Sequence, residues 1–227
     1  MDEHRTAPQR FRSQLRALHP IEAAANLPVE EETPLFAADR NFALAHGGRL
    51  TQAFLESLPL DRDENVIVDS SLVWLAPGLA HVLAPAGPLS GARGPLHFIH
   101  EPFPGVMSGV RGAANRNREA THWLAVFGVG STPEVVEGEL AFVTAAEAEE
   151  FWFATESVTF REQEIARRLG ERSVRIAALP ASTVVEFGWG TLMRSRPATT
   201  HGFQFIVRAT RGDDRPCVNG LRNHAQL

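Results

Sequence analysis

The stretch "EFGWGTLMRSRPATTHGFQFIVRATR", residues 186–211, decides the fold prediction for this chain. Its second half alternates, so that Phe203 and Phe205 fall on one side of an extended chain while Gln204 and Arg208 fall on the other. Glycine and proline bound the run, as they commonly bound strands. We therefore predict a strand that presents one face to a packed core and the other face to a pocket.

The same strand-like sequence pattern recurs along the rest of the chain. Six further runs are short, apolar or alternating, and bounded by Gly or Pro: "NVIVDSSLVWLAPG", "PLHFIHEPFPG", "THWLAVFGVG", "GELAFVT", "SVRIAALP" and "STVVEFGW". At least seven strands in one chain of 227 residues predict an antiparallel sandwich or barrel. "FGVGSTP" lacks the third glycine and the lysine of a nucleotide-binding loop, so we interpret it as a hairpin turn.

Helical patterns flank and interrupt these strands. Leu50, Phe54 and Leu58 lie one turn apart before Pro59, which predicts an amphipathic helix. "RFRSQLRAL", residues 10–18, predicts a shorter helix nearer the amino terminus. The pattern of helices, strands, a helical insertion and further strands is typical of an α+β fold.

The predicted insertion lies near residues 144–170 and contains two capping boxes. Thr144 precedes Glu147, and Thr159 precedes Glu162, by the three residues that this motif requires. Gly170 then provides a helix stop. The predicted organisation is an N-terminal extension, a single β domain and a C-terminal tail, over residues 1–46, 47–216 and 217–227.

Composition and charge exclude several functions. The net charge of −5 argues against a nucleic-acid or anionic-membrane surface. Every basic residue except histidine is arginine and there is no tyrosine, so lysine Schiff bases and tyrosine acids are excluded. Cys217 is the single cysteine, and neither a signal sequence nor an apolar run of about 20 residues is present. We expect a soluble cytoplasmic protein.

The histidines offer candidates for metal or acid–base chemistry. A facial iron site takes two histidines and one carboxylate, and paired ligands on one strand alternate as His-x-Asp or His-x-Glu. The chain contains neither pair, nor His-x-His. In "HFIHEP", His100 and Glu101 are neighbours, and a bulge is needed to turn them to one side. We take His100, Glu101 and His122 as candidate catalytic residues, and the metal as unknown.

The opening stretch resembles a family of largely uncharacterised bacterial and phage proteins with a double-stranded β-helix. Members of that family end in a pattern like "FDWxTWHxGTxAxxxGWRWFxRxSR". The likeness covers about residues 64–211. The matching residues are Phe187, Trp189, Thr191, Ala198, Gly202, Phe203, Phe205, Arg208 and Arg211.

The resemblance implies a jelly-roll related to the non-haem Fe(II)/2-oxoglutarate-type oxygenases. In those enzymes a late histidine completes the metal site and a following arginine binds the co-substrate carboxylate. Here Met193 stands at the histidine position and Gln204 at an arginine position, while Arg208 remains. A thioether suits such an iron site poorly. Two alternatives stay open: the protein uses Fe(II) and 2-oxoglutarate, or it uses no cofactor.

These observations favour a small-molecule tailoring enzyme that acts on an anionic or polar substrate. The candidate substrate-binding residues are Arg111, Asn115, Arg118, His201, Gln204 and Arg208. One alternative is a metal-independent cyclase, isomerase or dehydratase that uses histidine acid–base catalysis. Another is a non-catalytic binding protein. A homodimer is a further option, because the three consecutive aromatic residues 151–153 cannot all face one core.

Overall fold

The computed structural model describes residues 9–61, 64–81, 99–100, 119–129, 132–144, 146–147, 158–188, 190–212, 215–221 and 225–226. Its strands are β1 (Gln9–Ser13), β2 (Leu15–Pro20), β3 (Leu35–Phe36), β4 (Val66–Leu75), β5 (Ile99–His100), β6 (Thr121–Gly128), β7 (Glu134–Phe142), β8 (Val174–Ala178), β9 (Thr183–Gly188), β10 (Leu192–Arg194), β11 (Gly202–Arg211), β12 (Gly220–Leu221) and β13 (Ala225–Gln226). Its α-helices are α1 (Arg40–His46), α2 (Arg49–Glu56) and α3 (Val158–Gly170). Among the described residues before α1, Glu22–Asn26 and Val29–Glu31 form short 3-10 helices.

The strands form two large sheets and one small ribbon. The six-stranded sheet has the order β13-β4-β11-β6-β9-β2. The five-stranded sheet has the order β1-β7-β10-β5, with β8 also paired to β7. The described strands pair antiparallel except β13, which runs parallel to β4. The predicted α+β fold around antiparallel sheets is confirmed.

Alternation along β11 produces the packed face that the sequence predicted. Phe205 and Val207 are fully buried on the outer face, where they pack with Leu50 and Phe54 of α2. The predicted amphipathic helix is confirmed, although it ends at Glu56. Burying a side chain of this size contributes roughly 1.5–3 kcal/mol, so these contacts attach the helices firmly to the sheet.

Between the sheets lies a second apolar core. Val126, Val185 and Ile206 from the six-stranded sheet pack there against Val135 and Met193 of the five-stranded sheet. On the far side of the five-stranded sheet, a third core joins α3 to β7, β8 and β10. Helices therefore cover the outer faces of both sheets, and the inner faces meet each other.

Residues 10–18 form strands, so the helix predicted there is wrong. β1 pairs with β7 and β2 pairs with β9, which places two strands of the predicted N-terminal extension in the large sheets. Arg10 lies 3.3 Å from Glu139, and Arg16 lies 2.7 Å from Glu186, each across a strand pair. The local spacing suits a helix or a strand, and pairing with partner strands decides between them.

Two smaller predictions had different outcomes. The capping box at Thr144 is confirmed, because the Glu147 backbone N–H donates to Thr144 Oγ1 at 3.2 Å and Glu147 Oε2 accepts from the Thr144 N–H at 3.3 Å. The side chains of Thr159 and Glu162, which the second box requires, lie outside the described residues.

The hairpin predicted at Gly128 is also wrong. β6 belongs to the six-stranded sheet and β7 to the five-stranded sheet, so the chain crosses between the sheets at this point. A crossing and a hairpin use the same glycine-rich turn residues, and the turn sequence therefore did not distinguish them.

Candidate functional site

Eight polar side chains lie buried at the inner faces of β4, β6 and β11 and in the segments beside them. We call them the inner polar cluster: Asp69, Ser71, His81, His122, Gln204, Arg208, Thr210 and Arg215. Seven of these residues have 3% or less of their surface exposed, and the Arg215 side chain has 8%. Burial of polar groups is costly unless they find partners, so such a group between two sheets requires an explanation.

Asp69 holds the charged end of the cluster together. Arg215 Nη2 donates to Asp69 Oδ2 at 2.6 Å, and Arg208 Nη2 lies 3.4 Å from the same oxygen. The Ala37 N–H donates to Asp69 Oδ1 at 3.0 Å. Burial acts to raise the pKa of the Asp69 carboxyl, but the charges of Arg215 and Arg208 and these hydrogen bonds bring it below its usual value. Asp69 is therefore ionised at neutral pH.

His122 lies beside this ionic group, and one of its ring nitrogens is hydrogen-bonded. Its Nδ1 lies 3.0 Å from Thr210 Oγ1, and its ring stacks on Phe187 with centroids 5.2 Å apart. Its Nε2 is buried and has no hydrogen-bond partner among the described residues. Burial, and then the positive charges of Arg208 and Arg215, lower the pKa of His122 to about 3. The imidazole is therefore neutral at pH 7.

His81 occupies the other end of the cluster. Its Nε2 is hydrogen-bonded to Ser71 Oγ, while its backbone carbonyl accepts from Ser195 Oγ at 2.5 Å. Burial lowers the pKa of His81 to about 3, with a small opposing effect from the side chain of Gln204. Gln204 Nε2 also donates to the Val129 carbonyl at 3.1 Å. Gln204 and Arg208 are four residues apart on β11, so the two ends are separated by roughly 13 Å.

The structure places three of the residues that the sequence proposed for a site in this cluster, two at the Asp69 end and one at the His81 end. His122, Gln204 and Arg208 all belong to the inner polar cluster. His201 does not join them, because it is exposed in the loop before β11, while His122 pairs with Thr210 near the other end of that strand. The backbone of His100 pairs with Leu192 in β10. The side chain of His100 and the candidates Glu101, Arg111, Asn115 and Arg118 lie outside the described residues.

Sequence reasoning missed the acidic centre of the cluster. Asp69 interrupts the apolar run "VIVDSSLVWL", and an ionisable residue at an inward position of a strand was the signal that could have found it. Arg215 lies beyond β11 in a polar segment, where nothing in the local pattern separates it from surface arginines.

The surroundings of Met193 bear on metal binding. Met193, at the position where the resemblance places a histidine ligand, packs among Val135 and Ile206 in the apolar core between the sheets. Within the part of the chain that the structure describes, no three His, Cys, Asp or Glu side chains are grouped to hold a metal ion. The donors present at Met193 therefore do not fit the iron site of the resembling enzymes.

Comparison with known proteins finds no matching family model, no matching curated protein and no matching solved structure. Among the described helices, none combines the length and the apolar character that crossing a bilayer requires.

Proposed function

We propose that this protein binds a small anionic molecule between its two sheets, at the His122 and Arg208 end of the inner polar cluster. The observation that carries the proposal is the buried Nε2 of His122, which has no hydrogen-bond partner among the described residues and lies beside two buried guanidinium groups. An Nε2–H at this position would donate to a carboxylate or phosphate oxygen. Charge-assisted bonds of this kind are roughly twice as strong as neutral ones.

The strand order supports a jelly-roll as the scaffold of this site. Strands β4-β11-β6-β9 are neighbours in one sheet and β5-β10-β7-β8 in the other. This is the order that two Greek keys produce when eight strands fold into a double sheet. Small molecules commonly bind in the mouths of such β structures. Together with the resemblance, this order favours a cytoplasmic small-molecule tailoring enzyme.

Electrostatics favour the metal-independent alternative at this site. The charges of Arg208 and Arg215 help to lower the pKa of His122, because they oppose a second positive charge on its ring. The same charges would repel a divalent cation at Nε2 and attract an anion. We therefore propose an acid–base enzyme or a binding protein, rather than an oxygenase that uses His122 as a metal ligand.

A bound anion would also change what His122 can do. With a pKa of about 3, the neutral imidazole is a weak base and carries almost no acid form at pH 7. An anion in contact with Nε2 would raise this pKa, so that His122 takes up a proton on binding. The protonated ring could then donate that proton to the ligand, as an isomerase or dehydratase requires.

Calorimetric titration of chelator-treated protein with 2-oxoglutarate and with citrate tests the proposal. Wild type should bind at least one of these probes, and His122→Gln should weaken binding by about tenfold, which corresponds to about 1.4 kcal/mol. His19→Gln, an exposed change on β2, is the matched control and should bind as wild type does. Equal affinity for wild type and His122→Gln would refute the proposal. Stoichiometric Fe(II) binding that depends on His122 would instead support the oxygenase hypothesis.

A further inference from the structure

A separate cleft of about 710 Å³ opens where the chain passes from β1 to β2. Arg12, Gln14, Glu137, Arg172 and Arg175 contribute polar groups to its lining. Its lining residues are distinct from the inner polar cluster. The volume lies in the range of about 300–1,000 Å³ that is typical of small-molecule sites.

The net charge of this cleft is opposite in sign to the net charge of the whole protein. The described residues that line it include three arginines and one glutamate, although the whole chain carries a net charge of −5. Arg175 is paired with Glu137, whose Oε2 lies 2.6 Å from Arg175 Nη2. Neither Arg12 nor Arg172 has a carboxylate partner among the described residues. The described lining of the cleft therefore carries an excess of about two positive charges.

Buried hydrogen bonds hold one wall of the cleft in place. Ser13 Oγ donates to the Val136 carbonyl at 2.5 Å and accepts from the Leu192 N–H at 3.1 Å. Thr191 Oγ1 donates to the Gln14 carbonyl at 2.8 Å. These bonds fix the β1–β2 connection, and with it the backbone of Arg12, before any ligand arrives. Such preorganisation lowers the entropic cost of binding.

The opposite wall contains the carboxyl end of α3. Arg172 follows α3 with φ of +59°, the left-handed conformation in which helices commonly end. Its N–H donates to the Leu169 carbonyl at 3.1 Å, which ends the helix turn. The Ser173 N–H donates to the Arg168 carbonyl at 3.1 Å, and together these two bonds hold the backbone of Arg172 in place beside the cleft.

We propose that this cleft binds a phosphorylated small molecule through Arg12 and Arg172. A phosphate dianion matches the two unneutralised charges, and it has enough oxygens to accept from both guanidinium forks at once. Because both arginines are exposed to solvent, binding should weaken as the salt concentration rises. This site is independent of the function proposed for the inner polar cluster.

Calorimetric titration of the protein with phenyl phosphate at low ionic strength tests this site. The Arg12→Gln/Arg172→Gln variant should bind at least fivefold more weakly than wild type. The control variant, Arg10→Gln/Arg49→Gln, removes the same charge from other exposed positions and should stay within twofold of wild type. Thermal unfolding of each variant checks that it folds.

Three outcomes would overturn the assignment. Wild type could fail to bind phenyl phosphate. Both double variants could lose affinity equally, which would show attraction by overall charge. His122→Gln could weaken binding as much as the double variant does, which would place the probe in the inner polar cluster. Retained affinity in His122→Gln, together with a loss confined to Arg12→Gln/Arg172→Gln, supports the cleft.

Discussion

Replacing Asp69 with asparagine should destabilise the protein by about 3–5 kcal/mol. The Asp69 side chain is fully buried, and its Oδ2 lies 2.6 Å from Arg215 and 3.4 Å from Arg208. Asparagine has nearly the same shape, and its carbonyl can still accept from the Ala37 N–H. The substitution therefore removes the negative charge between two buried guanidinium groups and leaves most of the packing intact.

The magnitude follows from Coulomb's law and from the small total stability of proteins. Opposite charges about 4 Å apart attract by about 4 kcal/mol at an effective dielectric constant of 20. Arg215 and Arg208 both contribute, and the remaining amide hydrogen bonds offset part of the loss. Since domains have about 5–15 kcal/mol of stability in total, the variant should lose about a fifth or more of it. At about 2–4 °C per kcal/mol for a chain of this size, Tm should fall by roughly 6–20 °C.

Urea unfolding at pH 7 measures this difference. Glu139→Gln makes the same carboxylate-to-amide change in a surface pair, where the Glu139 side chain is 56% exposed and lies 3.3 Å from Arg10. That control should lose less than about 1 kcal/mol. A loss for Asp69→Asn no larger than the loss for Glu139→Gln would refute the reasoning.

The pH dependence of this difference has a definite sign. The pKa of Asp69 lies below 3.8 in the folded protein, so its contribution to stability is fully present above the unfolded-state pKa. The contribution is lost as the pH falls through the lower, folded-state pKa. Wild type and Asp69→Asn should therefore differ most near pH 7 and converge in strong acid. A difference that grew on acidification would contradict the assignment of a lowered pKa.

Three further predictions concern titration and packing. Because the pKa values of His81 and His122 are about 3 in the folded protein and 6.5 in the unfolded chain, unfolding free energy should fall as pH drops from 6.5 towards 3. His122→Gln should make that decline shallower in urea titrations at several pH values. Gly128→Ala should destabilise by more than about 1 kcal/mol, since φ is +88° and the added Cβ would stand 2.3 Å from the Phe203 carbonyl oxygen. Phe54→Ala should cost about 3–5 kcal/mol, because the ring is fully buried. Unchanged melting temperatures for the two packing variants would contradict the packing described for these residues.

Local sequence predicted most of the described strands, because alternation and turn residues act over a few positions. β4, β6, β9 and β11 each coincide with an apolar or alternating run bounded by glycine or proline. Where the local pattern was ambiguous, the prediction was wrong: residues 10–18 suit a helix in isolation and become strands only because β7 and β9 offer them partners. Pairing with distant strands is absent from any short window of sequence.

The sequence by itself determined that Gln204 and Arg208 share one face of a strand, and that any cationic side chain in this protein is a guanidinium or an imidazole. Only the tertiary structure decided which groups meet there. Asp69 is 146 residues from Arg215, and His122 is 88 residues from Thr210, so these contacts exist only because sheet pairing brings β4 and β6 beside β11. The same packing removes water from His122, and burial next to two arginines, rather than the residue itself, lowers its pKa to about 3.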